Sequence, residues 1–168
     1  MAAQLQSIEV PTDAELLQAQ ADLWRHSLYY LTTIALKCAV ELGYPDAIYR
    51  LGGAATVPKL ITALSLPRSK LPYLRRIMRL LAASGIFTVN NSSDEAIYGI
   101  SPMSYLLVEG NTTDGRHLNH VPVVHICTST RYIDSAMFLA DRFKKDVVTP
   151  PFVVLHGAKL FDHETMGV

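Results

Sequence analysis

The feature that most constrains the fold is a long stretch near the amino terminus, from Thr12 to Gly43, in which apolar side chains recur at helical spacing. Thr12 favours a helix start, because its hydroxyl can cap the first turn while Glu15 reaches back to the Thr12 backbone N–H. Gly43 predicts the end of the helical pattern. One helix of this length is unusual, so we expect a bend near Thr32 and Thr33.

Large apolar side chains are spread over more than one face of this helical stretch. A helix that is apolar on several faces must be buried on several faces. A domain of this length has little other surface with which to cover them. A second copy is the simplest cover, and self-association is most often two-fold. We therefore expect a homodimer whose interface includes Leu16, Leu23, Trp24, Tyr30 and Ile34.

The middle of the chain predicts a helix pair followed by two short strands. A short helix over 57–64 precedes a basic helix that begins after Pro67 and ends at Gly85. The pattern then changes to strand-like runs at 86–89 and 96–100, separated by turn residues. The basic helix is expected to bury one stripe of residues, namely Leu71, Leu74, Met78 and Leu81.

This order predicts a mainly α-helical winged-helix fold, in which a helix–turn–helix is followed by a β-hairpin. We divide the chain into an arm over 1–11, a winged-helix domain over 12–110 with a long first helix, and a helical connector over 111–168. The connector is expected to be helical from 118 to 145, with an irregularity near Pro122. A last short helix follows Pro150 and ends at Gly157.

Composition and charge exclude several classes of protein. Apolar residues make up 49% of the chain and charged residues 18%, which is typical of a chain that folds rather than one that stays disordered. The 15 basic and 15 acidic residues cancel, which argues against a nucleic-acid partner. The longest apolar stretch, 28–40, is too short and too polar to span a membrane. Two cysteines and no secretory signal make the cytoplasm the expected compartment.

The sequence predicts no set of residues for catalysis or for binding a cofactor. His117, His120 and His125 are spaced so that they do not share one helical face, which argues against a metal site. Cys127 and His125 point in different directions on a helix, so no activated thiolate is predicted. Glycine-rich nucleotide loops and nucleophile motifs do not occur in the sequence.

The basic helix leaves one alternative open, a winged-helix regulator that binds DNA. The second helix of such a unit enters the major groove, and this one carries or adjoins five cations. The hairpin argues the other way, because it carries Asp94 and Glu95 where phosphate contacts would be needed. We therefore favour a winged helix that serves as a packing unit. The five cations are Arg68, Lys70, Arg75, Arg76 and Arg79.

Four segments of the sequence resemble the plant small-molecule O-methyltransferases, in the same order as in that family. They cover nearly the whole chain, which makes the resemblance specific. The segments are AVELGYPDAI at 39–48, SKLPYLRRIMRLL at 69–81 with Gly-Ile-Phe at 85–87, YGISPMSYLL at 98–107, and Pro-Pro-Phe at 150–152 with His-Gly at 156–157.

The resemblance implies an S-adenosyl-L-methionine-dependent enzyme that methylates phenolic hydroxyls in its complete form. It aligns this chain with the family's amino-terminal winged-helix dimerisation domain, so the cofactor loop and the catalytic histidine are expected to lie beyond Val168. No methyl transfer is then expected from this chain alone. Asn119 is the position that the resemblance places at the wall of the substrate pocket. The expected partner is a second copy, or a full-length relative with which the chain pairs as an interfering subunit.

Overall fold

The structure is a computed structural model that describes residues 10–91, 94–110, 112–113, 116–117, 119–146 and 148–159. Most of the predicted arm over 1–11, and the carboxyl-terminal end of the connector, lie outside the described residues. The described residues are mainly helical, as predicted. The helices are α1 (Asp13–Leu28), α2 (Tyr30–Glu41), α3 (Tyr44–Arg50), α4 (Val57–Ala63), α5 (Leu71–Ala83), α6 (Pro102–Tyr105), α7 (Val121–Cys127), α8 (Thr130–Met137), α9 (Leu139–Phe143) and α10 (Pro151–His156).

Five short strands accompany these helices in the described part of the chain. They are β1 (Ala54–Thr56), β2 (Phe87–Asn90), β3 (Ile97–Ile100), β4 (Thr112–Thr113) and β5 (Arg116–His117). The first three form an antiparallel sheet in the order β1-β3-β2, and the last two pair with each other. The sequence predicted β2 and β3 but not β1, β4 or β5.

The first helix begins at the predicted cap. The Thr12 backbone N–H donates to Glu15 Oε2 at 2.8 Å, and the Glu15 N–H donates to Thr12 Oγ1 at 3.4 Å. Asp13 and Glu15 also place negative charge at the positive end of the helix. This first turn is therefore stabilised locally, without any buried side chain in α1.

The long helical stretch is interrupted at Tyr29, a few residues before the predicted bend. Tyr29 keeps right-handed helical dihedral angles, but the bonds there tighten, from Tyr29 N–H to the His26 carbonyl and from Thr32 N–H to the Tyr29 carbonyl. The Ser27 hydroxyl donates to the Leu23 carbonyl at 2.8 Å, a back-bond that commonly bends helices. The interruption therefore lies beside the Ser27 back-bond and not at the two threonines.

The core lies between α2, α3, α4, α5 and the three-stranded sheet. Leu74, Met78 and Leu81 of the predicted stripe on α5 are buried, and Leu71 at its start is partly buried. Small side chains on α2 let that helix approach the core closely. The largest fully buried side chains are Tyr44, Tyr98, Phe87, Ile48, Leu60, Met78 and Leu81.

The central strand of the sheet, β3, links elements that are distant in sequence. Ala55 and Val89 lie opposite Tyr98 on its two sides. At the end of the strand, the buried Ser101 hydroxyl donates to the Ile86 carbonyl at 2.6 Å. Ser101 and Ser104 also form a capping box that begins α6. These bonds fix the beginning of α6 to Ile86, the residue that precedes β2.

The connector is broken into short helices rather than one continuous helix. Ser129 caps α8 through its hydroxyl, which accepts from the Tyr132 N–H at 3.2 Å, and this cap separates α7 from α8. The last helix, α10, lies against α8, and His156 Nε2 is 3.1 Å from the Arg131 carbonyl oxygen. Gly157, at φ 72°, ends α10 as predicted.

Candidate dimer interface

The five residues predicted for the interface lie on α1 and α2, and all of them are exposed in the single chain. We call Leu16, Leu23, Trp24, Tyr30 and Ile34 the α1–α2 surface. Their exposed fractions range from 44% for Ile34 to 64% for Leu23. Five neighbours on the same helices are exposed as well, namely Leu17, Ala19, Leu28, Tyr29 and Leu31. The described residues thus leave this apolar surface open to solvent.

The base of this surface is anchored in the core by α2. Ala35 and Ala39 are buried against the core, whereas Ile34, on a different face of the same helix, is exposed. Exposed apolar patches of this kind commonly mark protein–protein contacts. Tyr30 and Ile34 thus lie on the exposed side of α2, and the other three residues of the surface lie on α1, which has no buried side chain.

Asn119 has a local structural contact in the single chain. Its Oδ1 atom accepts a hydrogen bond from the Val121 N–H at 2.9 Å, at the beginning of α7. The next residue, His120, donates its backbone N–H to the Leu106 carbonyl at 2.9 Å. Asn119 is exposed, and its side chain helps to begin the connector helices.

The buried phenols of the core are structural groups. Burial is the main cause that raises the pKa of Tyr44, and the Cys38 thiol, with Sγ 3.9 Å from the hydroxyl, adds to it. Burial also raises the pKa of Tyr98, and the charges of Arg79 and Arg75 partly offset that shift. Both hydroxyls therefore stay protonated near neutral pH.

The candidate histidines do not converge in the described part of the chain. His120 and His125 are exposed, and the side chain of His117 lies outside the described residues. Within those residues, no group of three His, Cys, Asp or Glu side chains is close enough to hold a metal ion. None of the helices in the described ranges is long and apolar enough to cross a membrane.

A second apolar surface on α8, α9 and α10 was missed by the sequence reasoning. Met137 and Phe143 are among its most exposed side chains. A groove of about 180 Å³ lies beside them, lined in part by Phe138, Pro151 and Val154. The signal was present in the sequence, because apolar residues recur through 133–143.

The basic helix α5 carries one of its cations in an ion pair with the hairpin. Arg75 Nη2 lies 3.4 Å from Glu95 Oε1, and both side chains are partly exposed. Glu95 of the hairpin is therefore directed toward the helix that a DNA-binding unit would place on phosphates. This contact disfavours the DNA-binding alternative.

Comparisons with known proteins agree with the predicted family. The family model described as the O-methyltransferase dimerisation domain matches residues 24–110. The probable O-methyltransferase 2 of Sorghum bicolor is 55% identical over 92% of this chain and 44% of its own length. A flavonoid O-methyltransferase-like protein of Oryza sativa subsp. japonica is 52% identical over 90% of this chain and 43% of its own.

A solved structure shows the same fold at low sequence identity. The calicheamicin-biosynthesis methyltransferase CalO1, in its SAH-bound form, matches with a TM-score of 0.65 and 20% identity, over 86% of this chain and 38% of that chain. The chain thus spans less than half the length of the curated relatives that it matches. With the family model covering residues 24–110 and two plant relatives above 50% identity, this chain belongs to the O-methyltransferases through their dimerisation domain.

Proposed function

We propose that this segment pairs two copies of the chain through the α1–α2 surface. The observation that carries the proposal is that Leu16, Leu23, Trp24, Tyr30 and Ile34 stay 44% to 64% exposed in a segment that belongs to a dimerisation family. Burying such side chains is favourable by about 25 cal/mol per Å² of apolar area. A two-fold arrangement lets the same surface cover itself.

The helix pair α4–α5 and the hairpin β2–β3 form, in this proposal, a winged-helix unit that serves as a packing scaffold. The helices are joined by a tight 3-10 turn at Arg68–Lys70, and the hairpin follows directly after α5. The inner stripe of α5 packs on the core, while α2 rests on the same core and presents the pairing surface. Residues 1–11 would form an arm, 12–110 the dimerisation domain and 111–168 the connector.

In the complete family enzyme, we propose methylation of a phenolic hydroxyl with S-adenosyl-L-methionine as the methyl donor. The names of the relatives support this substrate class, since one is described as flavonoid O-methyltransferase-like. This segment would contribute the pairing surface and, at Asn119, part of the pocket wall. The two free cysteines, Cys38 and Cys127, fit the reducing cytoplasm as its compartment. Pairing with a full-length relative would use the same surface.

The test is the mass of the particle in solution. Sedimentation equilibrium of the chain at micromolar concentration should give twice the monomer mass of 18.6 kDa. A Leu23→Glu variant should be monomeric at the same concentration, because an unpaired buried charge is very costly. Leu51→Glu is the matched control, since Leu51 is an exposed leucine outside the surface. A monomeric wild-type chain, or a dimer that Leu23→Glu leaves intact, would refute the proposal.

A further inference from the structure

The charges of the chain are strongly segregated along the sequence. Residues 47–93 contain seven of the 15 basic residues and none of the 15 acidic residues. The remainder therefore holds eight basic and 15 acidic residues, although the whole chain is neutral. The seven cations are Arg50, Lys59, Arg68, Lys70, Arg75, Arg76 and Arg79.

Helix α5 collects the largest share of this positive charge on its solvent side. Leu74, Met78 and Leu81 face the core, so the residues half a helical turn away face solvent. We call Tyr73, Arg76, Arg79, Leu80 and Ala83 the α5 outer face, and all five are exposed. Tyr73 is 59% exposed, so an aromatic ring and a leucine lie among the arginines of this face.

The arginines of the α5 outer face form no ion pair within the described residues, although Arg79 lines one cavity together with Asp94 and Glu95. Arg75 pairs with Glu95, but Arg76 and Arg79 form no hydrogen bond or ion pair with any residue that the structure describes. Arg68 and Lys70 lie before the first turn of α5, where the helix dipole is positive and cations are unfavourable. An acidic ligand would pair with the two arginines and would also offset the unfavourable positive charge at the start of α5.

We propose that the α5 outer face binds an acidic, amphipathic segment of another protein. Carboxylates of the partner would pair with Arg76 and Arg79, and an apolar side chain would pack between Tyr73 and Leu80. Arginine and tyrosine together are typical of the energetically important residues in protein interfaces. The exposed Leu80 beside these arginines favours a protein partner over a nucleic acid, because an aliphatic side chain gains nothing from a phosphate backbone.

This proposal is independent of the dimer. The core-facing side of α5 contacts α2 and α4, which leaves its outer face directed away from those neighbours. The α5 outer face is made of two arginines, a tyrosine, a leucine and an alanine, whereas the α1–α2 surface is almost entirely apolar. Pairing through α1 and α2 and binding of an acidic partner can therefore be measured separately.

The experiment titrates the full chain into a fluorescein-labelled helical peptide and follows anisotropy at 150 mM salt. The peptide has leucine at every third or fourth position and glutamate at most others. We expect saturable binding, weakened about tenfold or more by Arg76→Ala with Arg79→Ala and about tenfold by Tyr73→Ala with Leu80→Ala. Lys144→Ala with Lys145→Ala is the matched control and should bind as the wild type does, because those cations lie after α9.

A second peptide, with glutamine in place of every leucine, separates recognition from simple charge attraction. It should bind about tenfold more weakly. Equal binding of the two peptides, or unchanged binding by the arginine variant, would overturn the proposal. Tighter binding to duplex DNA of equal charge would assign the face to nucleic acid instead. A tetramer that is lost in the arginine variant, with no peptide binding, would assign it to another copy of the chain.

Discussion

Replacing Trp24 by alanine should weaken dimerisation by a factor on the order of 1,000. Trp24 is 63% exposed in the single chain. For a side chain that offers up to about 250 Å², this leaves roughly 150 Å² to be buried, or about 4 kcal/mol at 25 cal/mol per Å². Incomplete burial and lost side-chain freedom reduce this to about 2 kcal/mol per copy. A two-fold interface carries the change twice, and about 4 kcal/mol corresponds to three powers of ten in the dissociation constant.

The same residue provides the assay, because it is the one tryptophan of the chain. Its fluorescence emission should shift to longer wavelength as the wild-type protein is diluted and the indole becomes hydrated. Sedimentation equilibrium then compares the dissociation constants of the wild type and Trp24→Ala. Tyr49→Ala is the control, since Tyr49 is a half-exposed aromatic residue on α3. The reasoning fails if emission is that of a fully hydrated indole at every concentration, or if both variants dimerise equally.

Two further predictions concern the fold. Met78→Ala should lower the free energy of unfolding by about 2–5 kcal/mol, because Met78 is fully buried. Met103 is exposed, so Met103→Ala should change the free energy of unfolding by less than about 0.5 kcal/mol. Denaturant midpoints at one fixed protein concentration compare the two variants, and equal losses would contradict the packing described here. The second prediction is that Thr12→Ala raises the pKa of Glu15, which the Thr12 backbone N–H and then the Thr12 hydroxyl hold below its usual value. Because the folded-state pKa is the lower one, the stabilisation of the first turn of α1 is present at neutral pH and is lost as pH falls through that pKa. A carboxyl NMR titration measures the shift, and an unchanged pKa in Thr12→Ala would contradict it.

The elements that the sequence predicted correctly are those whose causes are local. The cap of α1 needs only Thr12 and Glu15, three residues apart. The buried stripe of α5 repeats at the helical period, so it can be read without knowing what covers it. The hairpin is signalled by turn residues between two short apolar runs. Each of these causes lies within one turn or one strand pair.

The elements that were missed depend on partners distant in sequence. The strand β1 is three residues long, and it is defined by its pairing with β3, in which Ala55 lies opposite Tyr98. No period can be recognised in so short a segment. The break between α7 and α8 has a local cause instead, because the Ser129 hydroxyl accepts from the Tyr132 N–H three residues on, and the continuous apolar pattern of the connector did not reveal it.

The residues of the candidate interface stay a prediction, whereas the angle between its two helices is a finding of the structure. Helical spacing selects Leu16, Leu23 and Tyr30, and all three are exposed in the single chain. The direction of α1 relative to α2 is set at Tyr29, where the Ser27 back-bond and the tightened turn act together. That angle arises from backbone geometry, which residue spacing does not contain.

The position of β3 between β1 and β2 has a mechanical consequence. Because the strand before α4 and the strand after α5 both pair with β3, the two helices are enclosed in a ring closed by two hydrogen-bonded ladders. A pull that separates β1 from β2 must open one of these ladders, so we expect this part of the molecule to deform little under load. Because α1 has no buried side chain, we expect it to change its angle at Tyr29 more readily. In a pair of copies, we therefore expect α4, α5 and the sheet to stay rigid while the angle between α1 and α2 adjusts at Tyr29.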